Sequence, residues 1–408
     1  MKILEVSDFH NTGGASIAAS RIASALRQEG HTCIRLSSDA LEPQKSLFLG
    51  KKVNLFVQFL SIMGIDCLTS KIVDKETIRQ FKMHLSKYQP DHILFHNIHG
   101  TDWPIRMINT ALNYAPTTWT LHDCWSFLGC FYPSYSPEAS DGTLQKLDSF
   151  WSRVTKSRYQ LSAVTPSSWM CSEATRHCWS EMNVETIHNP VPNYFSEKID
   201  KASAKRSFGL NANKKVVLCI AGNLTESRKG GSILKDILSS ELTDSYQFLL
   251  IGNSFGYSIE NSKKVFEHGF LNDEISLRLA YNAADLTLHT APIDNLPNTI
   301  AESMTCGTPV MAFEVGGVPE MIIDNDCGWL EKDITPKAII TRLNSLSKNQ
   351  KLETYGVNAY ERAKSLFHEQ KIAKKYISHF DFFGNSSNCC NRNALARNEL
   401  YSMGRVRS

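Results

Sequence analysis

The chain has 408 residues, 42% of them hydrophobic and 21% charged, which is enough for two domains with their own cores. Its 44 basic and 41 acidic residues give a formal net charge of +3, so no overall field points to nucleic acid. Eleven cysteines without CxxC pairs favour reduced thiols and a cytoplasmic protein.

The opening MKILEVSDFHN breaks its apolar run at Asp8 and His10, which predicts a first strand rather than a signal peptide. Short apolar runs then alternate with amphipathic segments: KILEV, the helical ASIAASRIASALRQEG, CIRLS, HILFH, TTWTLH and LSAVT. After the closely spaced Pro190 and Pro192 a second series begins, with KVVLCIAG, QFLLIG, DLTLHT and PVMAFEV as strands. Two successive α/β halves with parallel sheets are the economical architecture, with a ligand cleft at the carboxyl ends of the strands.

This pattern divides the chain into four parts. Residues 1–190 are expected to form an acceptor-side Rossmann-like domain, and residues 191–365 a similar domain that holds the donor substrate. Residues 366–383 are expected to form a helix that packs back on the first domain. Residues 384–408 show little apolar periodicity, and this weak pattern predicts a mobile tail.

Two loops of the first half carry candidate binding residues. Gly13 and Gly14 lead from the first strand directly into a helix, where the missing side chains allow close approach of a phosphate or sugar. No third glycine follows at the spacing of the GxGxxG fingerprint, which disfavours an oxidoreductase. The loops HNIHG and LHDCW could suggest a metal site, but no HExxH or zinc-type cysteine pair is present, and polar residues at strand ends more often orient a substrate.

Two loops of the second half combine charge with helix starts. AGNLTESRKGG places Arg228 and Lys229 before a helix, which favours a diphosphate clamp, although a solvated charge pair would give the same pattern. DNLPNTIAESM places Asp294 before a helix opened by Pro297 and puts Glu302 inside it. An anion with hydroxyl groups would suit that helix start, while the plain alternative is that acids favour a first helical turn.

Together these loops resemble the family 4 retaining glycosyltransferases, which have the GT-B fold of two Rossmann-like domains facing a cleft. The resemblance covers nearly the whole chain to about residue 380 and is similar to the branch that builds bacterial exopolysaccharides of the colanic-acid type. The matching pieces are TGGA, HNIHG, LHDCWSFLG, VTPSSW, RKG, HGF and DNLPNTIAESMTCGTPVMAFEVGGVPEMI.

The resemblance implies a role for each matched residue. Asp294 would lie against the donor sugar, Glu302 would bind the ribose hydroxyls, and His122 would lie beside the reacting sugar. The remaining donor-binding positions would be Gly13 and Gly14 with the amides of Asn298 and Thr299 at the diphosphate, and Gly269 with Phe270 around the base.

Two positions depart from the usual pattern of that family. Asp294 stands where most relatives have Glu, and Asn223 stands where many have Arg, a charge that Arg228 beside Lys229 would replace. These departures keep open a non-catalytic binding or scaffold protein, and an epimerase or hydrolase on the same fold is a further alternative.

The implied reaction moves a sugar from a nucleotide-diphosphate donor to a saccharide acceptor with retained configuration, and it needs no cofactor or metal. Asp324 and Asp326 superficially match a DxD metal motif but lie in a predicted turn. No segment is long and apolar enough to predict a spanning helix.

Exopolysaccharide acceptors are commonly lipid-linked, so the resemblance also implies a peripheral contact with the inner face of the cytoplasmic membrane. Lys51 and Lys52 precede a strongly apolar stretch that could lie among headgroups, although an ordinary core helix is the alternative.

Overall fold

The computed structural model describes residues 1–39, 66–101, 103–133, 138–154, 156–157, 159–240, 246–253, 264–271, 273–347 and 352–385. The basic apolar segment that begins at Lys51 and nearly all of the predicted tail lie outside the described residues.

Two parallel six-stranded sheets, each with helices on its faces, form the molecule, as the alternation of apolar runs predicts. The first sheet has the order β2-β1-β3-β4-β5-β6. Its strands are β1 (Lys2–Val6), β2 (Thr32–Leu36), β3 (His92–Phe95), β4 (Thr117–Thr120), β5 (Leu161–Thr165) and β6 (Asn183–Thr186).

The second sheet has the order β12-β11-β10-β7-β8-β9. Its strands are β7 (Lys215–Asn223), β8 (Tyr246–Asn253), β9 (Val265–Gly269), β10 (Leu286–His289), β11 (Val310–Phe313) and β12 (Gly328–Glu331). Strands β6, β9 and β12 are additions to the strands read from the sequence. All three lie at or next to sheet edges, and two of them have half-exposed residues throughout.

Helices cover both faces of each sheet. In the first half these are α1 (Gly14–Gln28), α2 (Asp66–Tyr88), α3 (Arg106–Leu112), α4 (Trp125–Leu128), α5 (Asp141–Val154) and α6 (Ser168–Thr175). In the second half they are α7 (Lys201–Ser207), α8 (Gly231–Ser239), α9 (Glu274–Ala283), α10 (Asn298–Thr305), α11 (Val318–Met321), α12 (Pro336–Ser347) and α13 (Leu352–Phe367). Short 3₁₀ turns lie at Asn193–Ser196 and Ser227–Lys229.

The last described helix, α14 (Glu369–Asn385), packs on the first half of the chain. Its apolar residues Ile372, Tyr376 and Phe380 share a buried cluster with Ile22 and Leu26 of α1. Apolar burial on that scale stabilises the contact by about 1.5–3 kcal/mol for each large side chain. The predicted return of the C-terminal helix to the first half is therefore present in the fold.

No helix within the described ranges combines the length and apolarity that crossing a bilayer requires.

Candidate functional site

A cleft of about 1220 Å³ opens between the two sheets, at the carboxyl ends of their strands. Residues that follow β1, β3 and β4 line it from the first half, and residues that follow β7, β9 and β10 line it from the second. The parallel order of both sheets brings loops that are distant in sequence to one place. Most of the site residues expected from the sequence line this cleft.

Lys229 and Asp294 form an ion pair in the cleft, with 2.6 Å between Lys229 Nζ and Asp294 Oδ2. His289 Nε2 lies 3.6 Å from the same oxygen, and Asp294 Oδ1 accepts a hydrogen bond from the Asn295 amide at 3.0 Å. Although burial alone would raise the pKa of Asp294, the Lys229 ammonium and the His289 ring hold it well below its usual range. Asp294 is therefore an anion at physiological pH, next to a cation with two further N–H donors.

Two glycines fix the backbone that carries this pair. Gly230 has a φ of +76°, and a Cβ there would lie 1.9 Å from the carbonyl oxygen of Thr290. Gly316 has a φ of +54°, and a Cβ there would lie 1.9 Å from the carbonyl oxygen of Asp294. Such contacts exclude any larger residue, so the loops can approach each other only with glycine at both positions.

Helix α10 begins in the cleft and meets the glycine loop of the first half. Asn298 Nδ2 donates a hydrogen bond to the Gly14 carbonyl oxygen at 3.0 Å, and Gly13 enters α1 with a φ of +86°. No side chain caps the start of α10. Asn298 and Thr299 in the first turn of α10 both line the cleft, and the amides of a first helical turn have no acceptor within the helix, so they are candidate anion donors.

Glu302 lies one turn further into α10 and is almost fully buried. Its Oε2 accepts a hydrogen bond from the Tyr281 hydroxyl at 2.7 Å, and its Oε1 pairs with Arg21 Nη2 at 2.8 Å. Burial, reinforced by this carboxylate, holds the pKa of Tyr281 well above its usual value. Each carboxylate oxygen retains a second lone pair for a ligand hydroxyl.

His122 follows β4, and its Nε2 lies 2.9 Å from His96 Nδ1. Burial lowers the pKa of His122 to about 4, so the ring is neutral and can exchange hydrogen bonds with a sugar hydroxyl. Nearby, His99 lies 3.2 Å from Asp123, which raises the pKa of His99 although burial opposes the charge. Within the described ranges, no three His, Cys, Asp or Glu side chains are grouped to hold a metal ion.

The remaining sequence-predicted residues have more varied surroundings. Arg228 donates from Nε to Glu226 Oε1 at 2.9 Å and lines the cleft. The Asn223 side chain, also at the cleft, accepts hydrogen bonds from the amide and hydroxyl of Thr225. Phe270 is 61% exposed at the cleft. Gly269 does not line it, but its φ of +75° ends β9 immediately before Phe270.

Several residues of the site were not expected from the sequence. Asn295 donates from Nδ2 to the His122 carbonyl oxygen at 3.0 Å and accepts from Ser167, so it joins the two halves beneath the cleft. Arg21 reaches Glu302 from α1. In the sequence, His289 is only the end of a predicted strand, and Arg21 lies in an ordinary amphipathic helix that carries no functional signal. Asn295 directly follows Asp294, and that adjacency is its one sequence signal.

Comparison with known proteins finds a protein-family match in the second half of the chain. Residues 200–362 match the protein-family model described as Glycosyl transferases group 1. An uncharacterized glycosyltransferase of Methanocaldococcus jannaschii is 25% identical over 196 residues, which are 45% of this chain and 50% of that protein. The chain thus spans about half the length of the first curated relatives that it matches.

Solved structures resemble the whole chain. Sucrose-phosphate synthase from Thermosynechococcus elongatus superposes with a TM-score of 0.73 at 15% identity, covering 95% of this chain and 100% of that one. Anabaena HepE in complex with UDP superposes with a TM-score of 0.64 at 18% identity, covering 94% and 100%. At these identities the likeness concerns the fold, which is the GT-B arrangement of two α/β domains.

Proposed function

We propose that the protein is a retaining glycosyltransferase that moves a sugar from a nucleotide-diphosphate donor to a saccharide acceptor. The observation that carries this proposal is the Lys229–Asp294 pair, 2.6 Å apart, in which the buried Asp294 and the partly buried Lys229 lie beside the uncapped start of α10. A carboxylate for sugar hydroxyls, an ammonium for a phosphate and free helix amides then lie within one site. The family match of residues 200–362 supports the same reaction class.

In this proposal the protein stabilises the leaving diphosphate with fixed positive groups. Negative charge develops on the diphosphate as the glycosidic bond breaks, and the amides of Asn298 and Thr299, two residues that line the cleft, would stabilise it. Lys229 can keep one N–H on Asp294 and turn the others to a phosphate oxygen. Arg228 would add charge at the rim, and no metal is needed for this step.

Asp294 and His122 would hold the donor sugar. Asp294 stays ionised and accepts from sugar hydroxyls, while the neutral His122 ring supplies a hydrogen bond without placing a second cation beside the anomeric carbon. The acceptor hydroxyl would attack from the face that the diphosphate leaves, giving retained configuration without an enzyme nucleophile.

Glu302 and Phe270 would hold the nucleoside. Glu302 retains lone pairs for the ribose hydroxyls, and the exposed Phe270 ring offers a surface for a base. Because HepE was solved with UDP and with UDP-glucose, UDP-sugars are the first donors to test. The resemblance to exopolysaccharide enzymes further suggests a cytoplasmic enzyme of exopolysaccharide, capsule or O-antigen-like glycan synthesis, acting on a lipid-linked acceptor.

A donor screen tests this proposal. Ligand-detected NMR against UDP-, GDP-, ADP- and dTDP-sugars should identify one strongly preferred nucleotide. With saccharide acceptors, the linkage in the product should have the same anomeric configuration, axial or equatorial, as the donor sugar. Activity should survive a chelator. Absence of binding to all four donors, or loss of activity that magnesium or manganese restores, would contradict it.

A second candidate is a non-catalytic sugar-nucleotide-binding protein. The observation that favours it is Asn223, whose amide oxygen is occupied by Thr225 and supplies no charge to a diphosphate. That candidate predicts donor binding without turnover for any acceptor. An epimerase or hydrolase predicts donor turnover without an acceptor, so the same assay separates all three.

A further inference from the structure

Arg21 is a buried cation that crosses from the first half to the second. It lies two turns into α1 and is only 5% exposed. Its Nη2 lies 2.8 Å from Glu302 Oε1 of α10 and 2.8 Å from Glu274 Oε1 of α9, and Nε adds a 3.1 Å bond to Glu274. The guanidinium also lies 5.3 Å from the centre of the Phe195 ring. Every one of these partners belongs to the second half.

The burial of Arg21 therefore depends on the two halves being close together. A buried guanidinium is tolerated only when carboxylates compensate for its lost hydration, and both compensating carboxylates would move away if the cleft opened. In that event Arg21 would be hydrated on α1, and of its side-chain partners among the described residues Glu302 would keep Tyr281. The ion pair is thus specific to the closed arrangement.

One nitrogen of Arg21 lacks an acceptor even in this closed arrangement. Nη1 is buried, and no described residue of the chain accepts a hydrogen bond from it. Arg21 also lines the cleft together with Glu302. An unsatisfied buried donor costs about 1–3 kcal/mol, so the closed arrangement without ligand carries a penalty that opening of the cleft would relieve.

We propose that Arg21 is a positioning residue that couples nucleotide binding to closure of the cleft. Its Nη2 holds the Glu302 carboxylate in place, and that carboxylate accepts a hydrogen bond from a ribose hydroxyl. This inference rests on the proposed function, because it takes the nucleoside at Glu302 as its ligand. It adds a residue of the first half to a binding site otherwise built by the second.

The coupling must act in both directions. A nucleotide that Glu302 binds best while Arg21 holds it favours the closed form by its differential affinity for the two forms. Conversely, removing Arg21 should weaken nucleotide binding and leave the cleft more open. Lysine at this position keeps the charge but cannot bond two carboxylates with one planar group.

The experiment compares the wild-type full-length chain with Arg21→Gln, Arg21→Lys and Arg176→Gln. Arg176 forms an exposed ion pair with Glu173 at 2.6 Å within the first half and does not line the cleft, so its variant is the matched control for loss of an ion pair. Calorimetry gives the affinity for UDP, GDP and ADP and for the 2′-deoxy and 3′-deoxy forms of the tightest binder. Small-angle scattering gives the radius of gyration with and without that nucleotide, and circular dichroism checks folding.

We expect Arg21→Gln to weaken binding by about 5–150-fold, the range of typical coupling between sites. Arg21→Lys should be intermediate and Arg176→Gln close to wild type. The loss of affinity caused by Arg21→Gln should be smaller for one of the deoxy nucleotides, because that ligand lacks the contacted hydroxyl and neither protein can bond it. A purely structural role would not give that dependence on the ligand. Nucleotide should also compact the wild type more than Arg21→Gln.

Two outcomes separate this inference from the proposed function. If the wild type binds nucleotide but Arg21→Gln binds it equally, with the same discrimination between ribose and deoxyribose, the inference fails and the proposed function stands. If the wild type binds no nucleotide, the proposed function fails together with the ribose contact. An equal radius of gyration for ligand-free wild type and Arg21→Gln would also contradict the claim that the Arg21 contact holds the cleft closed. Should Arg21→Gln not fold, Arg21→Lys carries the same comparisons.

Discussion

At the scale of single residues, Lys229 and Arg228 are neighbours with different electrostatic surroundings. Lys229 bonds the buried Asp294, whereas Arg228 bonds Glu226, which is 39% exposed. A cation held in a low-dielectric site stabilises developing charge more strongly than one screened by water.

We therefore expect Lys229→Ala to lower the transfer rate by roughly 10²-fold and Arg228→Ala to lower it less. The matched control is Lys235→Ala, since Lys235 is exposed on α8 and does not line the cleft. Steady-state kinetics with the preferred donor is the measurement. Wild-type rates in both single variants and in the double variant would show that the diphosphate is held elsewhere.

Asp294 lies before α10 and Glu302 lies within it, and substitutions of the two acids should affect different measured quantities. Glu302→Gln weakens a hydrogen-bond acceptor proposed for ribose, so the donor dissociation constant should rise, by roughly 10-fold for a loss of about 1.4 kcal/mol. Asp294→Asn should mainly lower kcat, because that residue is proposed to face the sugar. Calorimetry and single-turnover kinetics separate the two effects, and equal nucleotide affinity in wild type and Glu302→Gln would refute the ribose role.

Protonation of the buried histidines should destabilise the fold. The pKa of His122 falls from its ordinary 6.5 to about 4 because of burial, and that of His96 is also lowered. The unfolded chain then binds more protons than the folded one between these values, so the free energy of unfolding rises with pH from about 4 to 6.5 and levels off above. Urea titrations at several pH values across this range give the free energy of unfolding, and its slope against pH should be smaller in His122→Gln than in wild type. An unchanged slope would mean that His122 protonates equally in both states.

The sequence predicts a position at the cleft for those residues whose placement depends on local structure. Lys229, Asp294 and Asn298 stand at strand ends or helix starts, where the chain order of a parallel sheet already predicts a shared cleft. Arg21 could not be found in this way, because its partner Glu274 is 253 positions away and the contact depends on how the two halves meet. A charged residue in an amphipathic helix has no local feature that distinguishes an interdomain contact from hydration.

At the scale of secondary-structure elements, the strength of the apolar pattern decided what could be predicted. The buried strands, such as β1 and β10, are easily recognised in the sequence, because both faces of a parallel sheet are covered and its strands are rich in apolar residues. The edge strand β6 has the sequence NVET, with two exposed residues among four. Edge strands lack the continuous apolar run, so β6 and the similar β9 gave no comparable signal.

Helix α14 offers an internally matched test of its docking on α1. Phe380 is 1% exposed and packs in the shared cluster, whereas Phe382 on the same helix is 66% exposed. Phe380→Ala should lower the free energy of unfolding by about 3–5 kcal/mol, and Phe382→Ala should change it by less than about 0.5 kcal/mol. Chemical denaturation measures both. Equal effects of the two substitutions would mean that α14 is not docked through this face.

At the scale of the whole molecule, each half supplies what the other lacks. The second half carries the proposed donor groups, Lys229, Asp294 and Glu302, while the first carries His122 and the glycine loop that touches Asn298. Asn295 beneath the cleft and α14 behind the first sheet connect the two halves at further points. A reaction that needs water excluded from a reactive donor would benefit from this division, because the site is complete only when the halves meet.

The proposed lipid-linked acceptor leads to a prediction about where the whole molecule binds. The part of the chain that begins at Lys51 and Lys52 combines two cations with an apolar stretch through Met63, and it lies outside the described residues, so its role here rests on sequence. Lysines near an anionic surface contribute about 1 kcal/mol each, and apolar side chains can enter the headgroup region. We expect the full-length protein to float with vesicles containing phosphatidylglycerol.

The variant Lys51→Glu/Lys52→Glu/Phe56→Ser should lose this binding while keeping its circular dichroism spectrum and its affinity for nucleotide. A charge-matched control, Lys235→Glu/Lys337→Glu, alters exposed lysines of the second half and should still float. Raising the salt concentration should release the wild type in part, because it screens the lysine contribution but leaves the apolar one. Flotation that persists unchanged in the triple variant would place the membrane contact on another surface, and no flotation of the wild type would contradict the membrane contact itself.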